Sequence, residues 1–242
     1  LGNIVEDNGY NQEFMIGSDQ SFGNRGLYFR SHGSYYVYDV NVAKELGKIP
    51  LDYKEWWGFE DSKLFEYAKE EIMRLSEEDK PFNFSLLTAN THFTDGYIED
   101  TCIEKFNDDY SNAIYCSMEQ INEFIRWIQE QDFYKDTIIV ITGDHLTMQA
   151  DFFDADVYDR GVYNLFINTG KENYNNKERV FTTFDIFPTV ISAMGGNIEG
   201  ERLGLGTNLF SNKKTLTEEY GLHKVDEEIS YRSKFYDKYL LR

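Results

Sequence analysis

The run Thr137-Ile138-Ile139-Val140-Ile141-Thr142 is β-branched throughout, stops on Gly143, and is followed by a carboxylate and an imidazole side by side, Asp144-His145. A stretch this apolar suits a strand buried on both faces of a parallel sheet. Open α/β sheets place their ligands at the carboxyl ends of such strands, and a glycine there lets the backbone turn. Adjacent Asp and His offer a hard oxygen and a borderline nitrogen donor, a mixture suited to Mn²⁺, Mg²⁺ or Zn²⁺. Two donors do not complete a site. Alone, the pair fits equally a strand-end Asp capping the next helix beside a surface His.

The rest of the chain supplies the context of such a strand. Phe14-Met15-Ile16-Gly17 and Tyr35-Tyr36-Val37-Tyr38-Asp39 read as short strands around a Ser-, Gly- and Asn-rich loop, residues 18–26. Leu64, Phe65, Ala68, Ile72 and Leu75 recur at helical spacing over residues 60–75, with Pro81 as a stop signal. Residues 82–88 form a strand that runs into a second polar strand end, Asn90-Thr91-His92-Phe93. Tyr110, Ile114, Met118, Ile121, Phe124, Ile125 and Ile128 make one stripe of a long amphipathic helix. Residues 162–167 are a further strand. Residues 185–194 form a helix with Pro188 in its first turn, closed by Gly195-Gly196. Strand and helix alternate, which is the signature of a mostly parallel α/β sheet. From Asn212 the chain is charged and tyrosine-rich without clear periodicity, so residues 1–211 read as the main domain and 212–242 as a peripheral tail packed on it.

Charge excludes some partners. With 24 Lys+Arg against 43 Asp+Glu the net charge is −19, which repels nucleic acid, and anionic lipid headgroups too, unless charge is locally reversed. No apolar run approaches the ~20 residues needed to span a bilayer. Leu1-Gly2-Asn3-Ile4 carries no basic leader region, so the chain reads as a soluble fragment. Cys102 and Cys116 imply no disulfide scaffold. A bridge between them would close a short loop in an oxidising compartment, and the residues leave that open.

Taken together, the strand-end clusters resemble the sulfatase and alkaline-phosphatase superfamily, and within it the phosphoglycerol transferases of bacterial envelopes, including lipoteichoic acid synthases. The pieces occur in the family's order: Gly17-Ser18-Asp19-Gln20-Ser21-Phe22-Gly23-Asn24-Arg25-Gly26, Thr91-His92-Phe93, Tyr110-Ser111-Asn112-Ala113-Ile114-Tyr115 and Gly143-Asp144-His145. Phe184-Asp185-Ile186-Phe187-Pro188-Thr189 and Arg202-Leu203-Gly204-Leu205-Gly206-Thr207-Asn208-Leu209-Phe210 close the series. The resemblance implies an alkaline-phosphatase-like three-layer sandwich, incomplete at the N-terminus. It implies an enzyme threonine that attacks the phosphorus of a phosphatidylglycerol-like lipid, displacing diacylglycerol, before a sugar or glycerol hydroxyl takes the glycerol phosphate. Asp144 and His145 match metal ligands for one divalent cation, Mn²⁺ as first choice with Mg²⁺ or Zn²⁺ as alternatives. His92 matches a catalytic imidazole that also contacts the phosphoglycerol group. Arg25 matches a guanidinium suited to bidentate phosphate binding. Asp19 aligns with a carboxylate that would accept a glycerol hydroxyl, although an Asp between Ser and Gln also makes a plain Asx turn.

Two departures stand out. The family's nucleophilic threonine and first metal-binding carboxylate lie upstream of anything before Gly17 here, so the chain would hold only part of an active site. Lipoteichoic acid synthases also carry a histidine and a tryptophan in the Arg25 loop, where this chain has Ser18 and Gly23, which implies a more open headgroup pocket. The resemblance further implies a parent enzyme anchored in the bacterial cytoplasmic membrane through upstream helices, with this domain outside and a glycan or polyglycerol phosphate as acceptor. A metal-dependent phosphodiesterase or phosphatase of the same fold, and a non-catalytic binding module, are the alternatives. His32 and His223 have no comparable setting, and Trp56-Trp57 reads as a buried hinge or a lipid-facing lip.

Overall fold

The computed structural model describes residues 1–149, 151–171 and 178–239. The chain forms two compact units, Leu1–Lys135 with Thr147–Phe153, and Asp136–Leu146 with Asp154–Arg242. Among the described residues, no helix is long and apolar enough to cross a membrane.

The first unit runs α1 (Gly2–Asp7), β1 (Asn11–Ile16), α2 (Arg25–Ser31), β2 (Tyr36–Tyr38), α3 (Val40–Glu45), α4 (Asp61–Ser76), β3 (Phe82–Leu87) and α5 (Asp109–Gln129). Its sheet is parallel with order β2-β1-β3, and Phe14 lies opposite Val37 on one side and Ser85 on the other. Alternation along β1 sends its side chains to opposite faces. Phe14 and Ile16 pack with Tyr35 and Val37, and the Phe14 ring stacks 3.8 Å from Phe29 of α2. Glu13 points the other way and meets Arg74 of α4. Helices thus cover both faces of the sheet. The predicted stripe of α4 is buried at Leu64, Phe65, Ala68, Ile72 and Leu75, and Phe65 packs on Phe124 of α5 at 5.0 Å between rings. Where the loop 18–26 was expected to be irregular to its end, α2 begins at Arg25, entered through Gly23 and Asn24, both with positive φ.

Cys102 and Cys116 are joined by a disulfide with 5.5 Å between Cα atoms, which ties the loop before α5 to the helix itself. Closing a loop of this size removes entropy from the unfolded chain worth about 3 kcal/mol. The double Cys102→Ser/Cys116→Ser variant is therefore expected to lose about that much stability, read as a lower urea midpoint, with a slope that rises as the unfolded chain expands.

The second unit contains β4 (Ile139–Thr142), β5 (Asn164–Ile167), α6 (Ile186–Ala193), β6 (Arg202–Leu203), β7 (Gly206–Thr207), α7 (Leu216–Tyr220), α8 (Leu222–Ser230) and α9 (Lys234–Tyr239). The β-branched run is a strand, as its composition requires, but it pairs antiparallel with β5, Ile141 opposite Leu165, and is half-buried. Apolarity signals burial and carries no information on direction. The partner strand sets direction, and β5 returns alongside β4. Gly143 has no left-handed φ. It is required because a Cβ there would sit 2.9 Å from Val162 Cβ, while its amide donates to Tyr163 O at 2.9 Å.

Asp185 is buried ahead of α6, and its carboxylate accepts the amides of Thr182 and Thr207 at 2.9 and 2.7 Å. Thr189 Oγ1 accepts the amide of Leu209 at 3.0 Å. The last two motif pieces are thereby stitched to each other, which gives their polar residues a structural role. Among the described residues, three short helices occupy the stretch after Asn212 that lacked clear periodicity. Arg179 anchors the first of them, binding Glu218 through both carboxylate oxygens and the carbonyls of Leu209, Ser211 and Lys213.

Candidate active site

The end of β1 is shaped by close backbone contact. A Cβ on Gly17 would lie 2.2 Å from Phe59 O, and one on Gly58 would lie 2.1 Å from Gly17 O. This contact clamps the turn at residues 55–58 against the strand end, with Phe59 N donating to Gly17 O at 3.0 Å. Trp56 and Trp57 ride on that turn.

Trp57 then packs against one candidate, His92, and against the ring that carries another, Arg25. Its ring lies 5.6 Å from Phe22 and 4.1 Å from His92. The Arg25 guanidinium sits 4.9 Å over the Phe22 ring. Arg25 and His92, from separate polar clusters in the sequence, therefore line one aromatic wall. Trp56 stacks on Tyr97 at 5.6 Å and donates from Nε1 to Ala89 O at 2.9 Å. The tryptophans are half-buried members of this wall. A Cβ on Gly23 would meet only Arg25 Cγ, at 4.0 Å.

Arg25 Nη1 is shielded from solvent and has no hydrogen-bond partner. A buried guanidinium donor left unmet is costly, and an anionic oxygen is its natural complement. Arg179 offers a contrast. It borders an open hollow of about 570 Å³ in the second unit, but its donors are already directed to Glu218 and three carbonyls. The hollow of about 360 Å³ in the first unit is lined by Asp95, Asp108, Asp109 and Asp151 and would repel a phosphate.

His92 Nδ1 lies 2.6 Å from Phe93 O. A carbonyl only accepts, so the proton on this nitrogen is fixed and Nε2 remains the exchanging position. The residue that sets His92 was invisible in the sequence. Asp61, buried at the start of α4, accepts the amides of Ala89 and Asn90 at 2.8 and 3.0 Å, and His92 N donates to Ala89 O at 3.0 Å. Burial pushes the Asp61 carboxyl up to about 6, with the two amides pulling the other way. Only the aspartate's place at a helix start could have hinted at it.

Asp19 is exposed and makes the Asx turn weighed above. Ser21 N donates to Oδ1 at 2.8 Å and Asn41 Nδ2 to Oδ2 at 2.9 Å, and hydrogen bonding from the Ser21 side chain first, then Asn41 and the Ser21 amide, holds its carboxyl below the usual range. His32 accordingly sits on the surface, against Tyr28.

Asp144 and His145 lie together in the second unit, both exposed, with His145 Nε2 3.6 Å from Asp144 Oδ2. His145 Nδ1 is 2.7 Å from Leu146 O, so its proton is held there and Nε2 presents a lone pair. That is the arrangement metal-binding imidazoles use. Among the described residues no group of three or more His, Cys, Asp or Glu is placed to hold a metal ion.

Residues 1–196 match the sulfatase family model. Phosphoglycerol transferase I of Salmonella choleraesuis is 31% identical over 221 residues, covering 88% of this chain and 28% of that protein. The same enzyme of Salmonella typhimurium is 30% identical over the same span. The chain spans a little over a quarter of the length of these relatives. Among solved structures, a lipoteichoic acid synthase, LtaP from Listeria monocytogenes, aligns with TM-score 0.70 at 19% identity over 86% of this chain and 55% of that one. An alkaline-phosphatase-superfamily protein from Vibrio parahaemolyticus aligns with TM-score 0.64 at 23% identity, over 84% and 51%. These two establish an alkaline-phosphatase-like α/β fold, as the order of the motif pieces implied.

Proposed function

The chain belongs to the sulfatase family, and from that premise we propose that it is part of an enzyme that moves glycerol phosphate from a phosphatidylglycerol-like lipid to an envelope glycan or teichoic-type polymer. The observation that carries this reading is the unmet Nη1 donor of Arg25 on the same aromatic wall as His92. Arg25 binds the phosphate of the donor. His92, with Nδ1 fixed, passes a proton through Nε2, giving one to the departing diacylglycerol oxygen or taking one from the acceptor hydroxyl. The attacking threonine comes from a part of the enzyme outside these residues. Asp19 orders the loop that carries Arg25, and its carboxylate is open to a glycerol hydroxyl.

Divalent-metal dependence is general in this superfamily. Asp144 and His145 would hold one cation, Mn²⁺ by preference, completed by ligands from elsewhere in the enzyme. When bound it would neutralise charge on phosphate oxygens. Residues 1–211 carry the catalytic fold in this reading and 212–242 are peripheral, the last three lying outside the described residues. The disulfide supports placement in an oxidising compartment, on the outer face of the membrane in which the parent enzyme is anchored.

The test uses the full-length enzyme with labelled phosphatidylglycerol, with and without acceptor. Acceptor-dependent product supports transfer, whereas equal release to water would establish a phosphodiesterase. Arg25→Lys, which keeps the charge and loses the fork, is expected to lower kcat/KM by about 10–100-fold. Asp144→Ala is expected to weaken Mn²⁺ binding by calorimetry about 100-fold, and unchanged binding would remove Asp144 from the ligand set.

A further inference from the structure

In a chain of net charge −19, residues 20–38 contain no Asp or Glu and include Arg25, Arg30 and His32. This is the local reversal of charge that contact with an anionic surface requires. The segment also leaves large apolar side chains in water: Phe22 is 58% exposed, Leu27 66% and Tyr28 59%. Their placement follows from helical geometry. Gly26 and Phe29 turn inward, Phe29 onto Phe14 of the sheet, so Leu27 and Tyr28 project from the opposite side of α2. Arg30 donates to the side-chain oxygen of Gln20, and among the described residues neither Arg30 nor Arg25 is placed in an ion pair. Single exposed apolar residues are ordinary. Here three lie within seven positions, with one guanidinium, Arg25, among them and a second, Arg30, two residues beyond.

We propose that α2 and the turn before it form a docking face for an anionic bilayer, in which Leu27 and Tyr28 enter the headgroup boundary and Arg30 meets lipid phosphates. The assignment rests on the reading of Arg25 as the phosphate-binding group. A two-tailed donor keeps its tails in hydrocarbon while its headgroup reaches Arg25, so the surface beside Arg25 must approach the membrane. Phe22 links the two, since its ring is under the Arg25 guanidinium and a large part of it faces solvent. Apolar insertion combined with attraction to anionic headgroups is the physics of interfacial anchors, and the electrostatic share weakens with salt.

The experiment is co-sedimentation of the chain with vesicles of phosphatidylglycerol or of phosphatidylcholine, at low and high salt. Preferential binding to phosphatidylglycerol is expected despite the overall negative charge. Leu27→Ser/Tyr28→Ser is expected to lower binding about tenfold, and Arg30→Gln to reduce both binding and its salt dependence. Unaltered melting of these surface variants controls for folding, and Leu27→Ser alone is the milder check. Equal binding by variants and parent, or no preference for the anionic vesicles, overturns the proposal. In the full-length enzyme the double variant is expected to lose turnover of vesicle-borne donor and to keep turnover of a short-chain soluble donor. If it loses both, these residues belong to the substrate pocket and the docking face is overturned. If no donor is turned over while the vesicle pattern holds, the docking face stands and the transfer reading fails.

Discussion

Asp61→Ala is expected to destabilise the first unit by about 4 kcal/mol and to release the strand end that carries His92. The carboxylate is 2% exposed and accepts two backbone amides, those of Ala89 and Asn90. Asn90 reciprocates, its Oδ1 accepting Asp61 N at 3.3 Å, while its Nδ2 donates to Glu99 Oε1 at 2.6 Å. Glu99 Oε1 also accepts Ser62 N and Gln120 Nε2, each at 3.0 Å. Alanine would leave two buried N–H groups without acceptors, each costing ~1–3 kcal/mol, and would open a small void in addition. Because Ala89 O accepts from both His92 N and Trp56 Nε1, movement there displaces the imidazole and the indole together. Urea denaturation gives the stability, and the His92 ring resonances give the displacement. Asp61→Asn, which keeps one acceptor oxygen, should fall between parent and alanine in both. A stability loss with unmoved His92 resonances would leave Asp61 a purely structural residue.

Glu13→Gln is expected to act in the opposite direction and to reveal a pH dependence. Glu13 lies in the central strand with its side chain inaccessible, Oε2 bound to Arg74 Nη2 at 2.9 Å and Oε1 unpartnered. Burial pushes its carboxyl up to about 8, reinforced by Glu71 and opposed by Arg74. A carboxyl raised above its unfolded value binds its proton more tightly when folded. Between pH 4.5 and about 8 the folded state therefore holds the extra proton, and stability falls as pH rises through that window. The neutral amide has nothing to titrate. The variant should be more stable than the parent at pH 8 by on the order of 3–5 kcal/mol, with the gap closing towards pH 4.5. Arg74 keeps Glu71 and Glu78 as partners, each at 2.7 Å, so the substitution strands no charge. Parallel pH profiles for parent and variant would show that Glu13 is not the source of the slope. Asp61, raised to about 6 by burial, contributes a slope of the same sign at lower pH and remains in both proteins.

Much of the architecture could be read from periodicity. The helices carrying Leu64 and Phe124 announce themselves because apolar residues recur at helical spacing, and the strands around Phe14, Val37 and Phe84 because each is a short apolar and aromatic run bounded by polar or turn-forming residues. The strand-end motifs around Arg25, His92 and Asp144 were legible for a related reason, since chemistry concentrated in a few adjacent polar residues interrupts an apolar pattern. Asp19 could be read both ways, and its Asx turn satisfies the local reading while its exposure leaves the other open.

What depends on pairs distant in sequence was not legible. The β-branched run before Gly143 determines a strand, but its antiparallel partner is chosen by where residues 164–167 return. Cys102 and Cys116 permit a bridge, and only the approach of the loop to α5 makes one. Trp57 joins Phe22 to His92 because Gly17 and Gly58 let two backbones touch, a contact between residues with no side chains to advertise it. Asp61 looks like any acidic residue in a first helical turn until burial turns it into the acceptor for Ala89 and Asn90. The sequence by itself determined the longer periodic elements and the reactive residue types, because those are local properties of composition and spacing, and the ordered motif pieces carried the resemblance to the family. The tertiary structure decided which of those residues share a wall, which acids are buried and which donor is left unmet, because desolvation and contact exist only once distant segments pack.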